Sequence, residues 1–238
     1  MRPALRQWFD SPRGTALLAL ESALVAETVE DCFGWEMLQV GAWGAGRGLL
    51  GGARTRSQTI AGTLPTPGVD LVTRLTQLPI ASDSVDTVLL PHTLEFESDP
   101  YALLREADRV LAGDGKLVIL AFAPLSAWGL RAASTRPGFP PGLRRLISER
   151  RLRDWLRLLG YDVGDARRYL HELPWGEPKP LAAPIRRSWW YPLPGGAFVL
   201  KARKRLHSLT PLRPRLRERR SPVLGGLTEP SSVNRDPG

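Results

Sequence analysis

The chain has 238 residues, 42% of them hydrophobic and 24% charged, with a formal net charge of +9. That length suits one domain with appendages, and the single cysteine excludes an internal disulfide or a cysteine-only metal site. Three histidines leave little for a histidine-rich metal centre, no apolar run reaches the roughly 18–20 residues that span a bilayer, and the N-terminus lacks the apolar core of a secretion signal. A cytoplasmic protein without a membrane partner is expected.

The charge is unevenly placed. Residues 1–200 carry 23 Lys+Arg against 21 Asp+Glu, and residues 201–238 carry 10 against 3. The body is therefore near neutral, and the reading is a domain over 1–205 followed by a basic, Pro/Arg-rich tail over 206–238. The tail's composition is that of a solvated extension. It is also the one segment that offers nucleic acid an electrostatic contact, a partner the near-neutral body gives no reason to expect.

Ser11 or Asp10 can cap a helix that begins at Pro12 and runs to about residue 30, with Leu17, Leu20 and Leu24 on its apolar face. Met37–Val40 reads as a buried strand ending at Gly41. The glycine-rich stretch 41–54 follows as a permissive turn with at most a short helix behind it. Residues 57–63 and 69–74 read as further strands, and Asp86–Leu90 as the central one. Asp99-Pro100 starts a helix with Leu103, Leu104, Ala107, Val110 and Leu111 on one face. Gly113-Asp114-Gly115 turns the chain into the strand 116–122. A helix over 151–159 closes at Gly160, and 161–163 and 196–202 supply the last strands. Strands alternating with helices predict a mainly parallel sheet covered by helices. Two long stretches, 123–150 and 171–195, read as lids or binding walls.

Residues 78–122 carry a long ordered pattern. Leu78-Pro79-Ile80 is followed by Asp83-Ser84-Val85-Asp86, then by Leu94-Glu95-Phe96-Glu97-Ser98-Asp99-Pro100. Arg105-Glu106-Ala107-Asp108-Arg109-Val110-Leu111 follows, with Gly113, Gly115 and Leu117-Val118-Ile119 after it. This resembles the second half of the class I S-adenosylmethionine-dependent methyltransferases that act on small molecules. The Trp-Phe start, Phe122–Ser126 with Trp128–Arg131, Arg153–Leu156 and Leu173-Pro174-Trp175 resemble the YafS-like bacterial branch of that family. The resemblance implies a Rossmann-like sheet of seven strands, mainly parallel with an antiparallel last strand, and helices on both faces. It also implies S-adenosylmethionine as methyl donor, held at Gln39, Gly41, Ala42, Gly44, Gln77, Leu78 and Leu90, with a helix N-terminus near Gly41.

The first half departs from the family's pattern. Gln39 stands where the family has an acid, Trp43 where it has the second glycine of its loop, and Arg74 where it has the adenine-binding acid. Residues 37–69 contain no Asp or Glu, so the ribose carboxylate has no candidate there. Each lost charged hydrogen bond costs about 1.5–3 kcal/mol, roughly ten- to a hundredfold in affinity.

His92 follows the central strand, where the family places residues beside the methyl group. It reads either as the group that takes the acceptor's proton or as a hydrogen-bonded structural histidine. Glu95 reads as a loop-shaping or substrate-facing acid or equally as a helix-capping or solvated one, and Asp86 as a structural start to its strand. Arg105, Glu106, Asp108 and Arg109 read as a paired outer face, and Cys32 as packed near the end of the first helix. Trp175, Trp189, Trp190 and Tyr191, beside His171-Glu172, read as a pocket or as loop packing, and Arg144, Arg145, Arg150 and Arg151 as a lid or an anion-facing edge. The expectation is a methyltransferase for a small-molecule acceptor. Its rival is a binding or scaffolding protein that keeps the fold without the catalysis, and a third reading is an RNA-directed enzyme using the tail.

Overall fold

A computed structural model of the protein describes residues 3–135, 138–175 and 195–205. The chain divides into a unit of Met1–Leu206 and a unit of His207–Gly238; the second, which holds the basic tail, lies outside the described residues.

Two helices lead in, α1 (Pro3–Phe9) and α2 (Pro12–Thr28). Ser11 caps α2 as its sequence signals, its Oγ accepting from the Gly14 amide at 3.2 Å with Pro12 in the first turn. Strand β1 (Phe33–Val40) starts four residues before the predicted one, because Asp86 draws its first residues into the sheet by accepting from the Trp35 and Glu36 amides. β2 (Arg54–Gly62), β3 (Leu71–Val72) and β4 (Val85–Pro91) follow. No α-helix lies between β1 and β2, only a single 3-10 turn at Gly48–Leu50. The loop after β1 therefore opens no α-helix, and the helix N-terminus that lies beside Gly41 is that of the short helix starting at Thr93.

Past β4 the chain turns through the short α3 (Thr93–Phe96) into α4 (Pro100–Val110), capped by Asp99 as predicted. β5 (Leu111–Phe122) begins five residues early. The Gly113-Asp114-Gly115 turn is there as an irregularity inside it: Leu111 pairs with Val85, and regular pairing resumes only at Lys116 with Thr87. α5 (Ala127–Ser134) lies inside the stretch expected to be a lid, and α6 (Glu149–Leu158) is close to its predicted bounds. β6 (Tyr161–Val163), β7 (Arg167–Tyr169) and β8 (Ala197–Lys204) complete the sheet.

The strand order is β3-β2-β1-β4-β5-β8-β6, with β7 also paired to β8. Pairings among β1 to β5 are parallel, and β8 runs antiparallel to β5, β6 and β7. Among the described residues the sheet thus has eight strands rather than seven. The extra one, β7, has no sequence signal of its own, being three residues borrowed along the length of β8. Helices cover both faces. Leu103, Leu104 and Ala107 of α4 and Leu152 and Leu156 of α6 pack on Val88, Leu90, Leu117 and Ile119. Leu17, Leu20 and Leu24 of α2 pack with Phe9, Met37, Leu89 and Val118 on the other face.

Candidate active site

In an open sheet of this type, ligands lie beyond the carboxyl ends of the strands, where the strand order reverses direction. Here that point is between β1 and β4. A cavity of about 90 Å³ sits there, lined by Gly41, Ala42 and Trp43 after β1, Thr63 after β2, Pro91, Thr93, Phe96 and Glu97 after β4, and Leu5 and Leu75.

Beneath that cavity lies a buried polar cluster. Glu21 of α2 is wholly buried among Leu17, Leu20 and Leu24. Burying a carboxylate is costly unless it is fully partnered, and Glu21 has three donors. Oε2 accepts from Trp43 Nε1 at 2.5 Å, and Oε1 accepts from Tyr169 Oη at 2.8 Å and lies 2.8 Å from His92 Nε2. The other ring nitrogen of His92, Nδ1, lies 2.8 Å from Glu95 Oε2, while Glu95 Oε1 accepts from the Phe122 amide. His92 is thus a bridge between two carboxylates. It stands at φ +56 at the start of α3, a left-handed conformation that costs a non-glycine residue strain and persists where its surroundings fix it.

Burial works against a charge on His92, but Glu21 and Glu95 outweigh it and raise its pKa to about 9. Burial pushes Glu95 up as well, to about 7, against the pull of His92 and the Phe122 amide. The Tyr169 hydroxyl is driven far above its ordinary range by burial and by Glu21. The two carboxylates thus favour the charged form of His92, whose ring is stacked on the Trp43 indole with centroids 4.4 Å apart and packed against Phe122 at 4.1 Å. Phe9 and Phe96 close the indole from other sides.

Of the residues expected to hold the donor, Gly41 and Ala42 line the cavity. Gly41 has φ +100, yet the space a side chain would take there is filled by Thr93, whose Oγ1 would lie 2.4 Å from a Cβ and which donates to the Val40 carbonyl. The approach expected of a ligand at Gly41 is made by Thr93. Gln39 is buried below, its Nε2 donating to the Gly41 carbonyl and its Oε1 without a hydrogen-bond partner. Gly44 packs on Leu18 of α2. Leu90 and Leu78 belong to the core on the α4 side, with the Leu78 amide donating to Glu106, and Gln77 is exposed. These five, Gln39 included, do not line the cavity. His92 is brought to the crevice, but beneath it, with both nitrogens engaged and no exposed surface.

Other expectations are placed as follows. Asp86 is structural, and Glu106 and Arg109 pair and together clamp the backbone of residues 78–80. Cys32 is buried near the end of α2. The amides of Arg144 and Arg145 both donate to the Glu95 carbonyl, so this part of the expected wall braces the α3 turn. Trp175 is exposed, while Trp189, Trp190 and Tyr191 lie outside the described residues. Sequence reasoning missed Glu21 and Tyr169. Glu21 had a signal, a charge on the apolar face of α2 between Leu17 and Leu24. Tyr169 had none.

Residues 53–119 match the family model described as a methyltransferase domain. Solved structures share the architecture over most of the chain. A SAM-dependent methyltransferase from Archaeoglobus fulgidus superposes with a TM-score of 0.59 at 14% identity, covering 83% of this chain and 98% of its own. The fold is the class I methyltransferase fold. A second neighbour of that fold is the 1,6-didemethyltoxoflavin-N1-methyltransferase of Burkholderia thailandensis, crystallised with S-adenosylhomocysteine (TM-score 0.52, 18% identity, 85% of this chain and 88% of its own). A third is the [4+2]-cyclase SpnF (0.54, 20%, 77% and 79%). Among curated proteins, the chain is 49% identical over 102 residues to the uncharacterized protein YafS of Escherichia coli, 42% of each chain. It is 32% identical over 187 residues to the uncharacterized protein Rv2003c of Mycobacterium tuberculosis, 70% of this chain and 60% of the relative. The matched stretch therefore spans less than two thirds of either relative. The methyltransferase family model begins at residue 53, after the altered loop at 41–46.

Proposed function

We propose that this protein is an S-adenosylmethionine-dependent methyltransferase for a small-molecule acceptor, with its donor site in the crevice between β1 and β4. The observation that carries this is the position of the cavity, at the reversal point of a class I methyltransferase sheet and lined by the loops after β1, β2 and β4. The donor holds a methyl group on a sulfonium leaving group, so the protein's share of the chemistry is to align, to shield from water and to stabilise charge.

The residues present meet those needs unevenly. Gly41, Ala42, Leu75 and Pro91 offer main-chain and apolar contacts. No acid stands at the carboxyl ends of β1 and β2, Glu97 is the carboxylate in the lining, and about 90 Å³ is well below the roughly 300–1,000 Å³ of a site for a ligand of this size. In the conformation described, the crevice does not fit the donor. No proton transfer is assigned to His92, since both of its nitrogens are held by carboxylates.

That misfit favours a second reading, a protein that keeps the methyltransferase fold for binding or scaffolding alone. The cyclase among the structural neighbours illustrates that this fold serves more than one end. Calorimetry and thermal-shift titration with S-adenosylmethionine and S-adenosylhomocysteine separate the two. Saturable binding supports the enzyme. No heat and no shift at millimolar ligand, in the wild type and in a variant with the crevice enlarged, supports the scaffold.

A further inference from the structure

The near-neutral balance of residues 1–200 hides a segregation of charge. Residues 144–157 carry six arginines against Glu149 and Asp154, a balance of +4, while residues 1–200 as a whole sum to +2. The structure sets this segment beside α4, as α6 and the stretch that leads into it. Its two acids are engaged: Glu149 pairs with Arg153 and Arg168, and Asp154 lies 3.9 Å from Arg157. The acids of α4 are engaged as well, Glu106 with Arg109 and Asp108 with Tyr161 Oη, and Asp99 caps the helix. Arg144, Arg150 and Arg151 are exposed. Like the exposed Arg105 of α4, they have neither a carboxylate partner nor a hydrogen bond from the guanidinium among the described residues. Arg145 gives one donor to the Ser98 carbonyl.

Two half-buried rings stand among these arginines. Tyr101 of α4 and Trp155 of α6 meet edge to face at 5.8 Å. The Arg105 guanidinium lies 5.7 Å from the Tyr101 centroid, and that of Arg151 lies 5.1 Å from the Trp155 centroid. Such contacts hold the two heads in place while leaving their N–H donors unclaimed.

We propose that this face of α4 and α6 binds the phosphate backbone of a single-stranded nucleic acid. Its surplus charge is positive and wholly arginine, whose planar fork matches phosphate oxygens as a lysine ammonium does not. Guanidinium groups interleaved with aromatic rings are also what unpaired bases stack on. A bilayer is served poorly, because α6 exposes a single large apolar side chain, Leu158. The surface does not depend on what the crevice between β1 and β4 holds.

The test is a fluorescence-anisotropy titration of the full chain against a labelled, unstructured RNA of about 16 nucleotides, from about 50 to 200 mM salt. Saturable binding that weakens with salt is expected. A variant combining Arg105→Gln, Arg144→Gln, Arg150→Gln and Arg151→Gln is expected to bind at least tenfold more weakly. Its log–log salt dependence should be shallower by about 3, from four phosphate contacts at roughly 0.7 each. A control variant loses the same charge at other exposed positions, through Arg6→Gln, Arg54→Gln, Arg56→Gln and Arg203→Gln, and is expected to stay within about threefold of the wild type. Folding of each is checked by circular dichroism. Should the first variant not fold, Arg144→Gln with Arg150→Gln is read in the same way, with half the change in slope. Equal affinity of the wild type and the first variant overturns the proposal and leaves the charge beyond residue 205 as the contact. Equal losses in the two variants overturn it as well, since net charge alone then sets the affinity. So does tighter binding of a duplex of the same sequence. An absence of RNA binding at the lowest salt overturns it too, whether or not vesicles of phosphatidylcholine and phosphatidylserine bind instead.

Discussion

The two halves of the sheet are joined differently. β4 passes to β5 through α3 and α4, and β5 to β6 through α5 and α6, whereas β1, β2 and β3 are linked without any α-helix. In the first case the crossovers bury a row of leucines and the strands are continuous core. In the second, the connections bury Trp43, Leu49 and Leu50 without forming a helical crossover, and polar contacts tie them as well: Asp70 accepts from the Ile60 amide and pairs with Arg47, which also donates to the Gln58 carbonyl. The lesson is that the half with helical crossovers is held by apolar packing, while the loop after β1 closes over a buried polar cluster of Glu21, His92 and Trp43. Stability and the closure of the crevice rest on the same cluster.

That contrast can be broken from either side. The largest effect is expected for Glu21→Leu, which leaves the His92 charge with one partner and strips a buried acceptor from Trp43 and Tyr169; a loss of about 3–5 kcal/mol in urea denaturation is predicted. Leu104→Ala, in the core under α4, should cost about 2–5 kcal/mol by the same measurement and leave the pH dependence of stability untouched.

The pH dependence belongs to the cluster. The folded pKa of His92 lies near 9, above its ordinary value of 6.5, so the folded state binds the proton more tightly. Its contribution is complete below pH 6.5 and is lost as pH rises through 9, a fall of about 3 kcal/mol. Glu95, raised to about 7 from 4.5, adds a decline of the same sign as pH rises from 4.5 through 7. Denaturation curves across this range should show it, and His92→Gln should remove the part between 6.5 and 9. The smallest effect is expected for Arg47→Ala at the exposed pair with Asp70, within about 1 kcal/mol and reduced further by salt.

The second half of the sheet was legible because its signals are local. Asp99-Pro100 starts α4, the 3.6-residue spacing of Leu103, Leu104 and Ala107 marks its buried face, and the run Val88–Leu90 is a central strand. The ordered pattern over 78–122 pointed to the right fold for the same reason. The site was only partly legible. The glycines and Trp43 marked the loop after β1 as altered, and His92 was placed at the crevice. Whether His92 was open or closed depended on Glu21 and Tyr169, which are 71 and 77 residues away in the chain and meet it only in the folded state. β7 escaped notice because its three residues pair along β8 and carry no pattern of their own. The long stretch 123–150 contains α5, whose Trp128 stacks on Phe122, so part of an expected lid is core.

The most direct test of the account is a crystal structure of Trp43→Ala grown with S-adenosylhomocysteine. The account predicts ligand density between Gly41 and Pro91, with the His92 bridge between Glu21 and Glu95 unchanged. A well-ordered structure with that crevice collapsed, or with the ligand bound elsewhere on the fold, would contradict it.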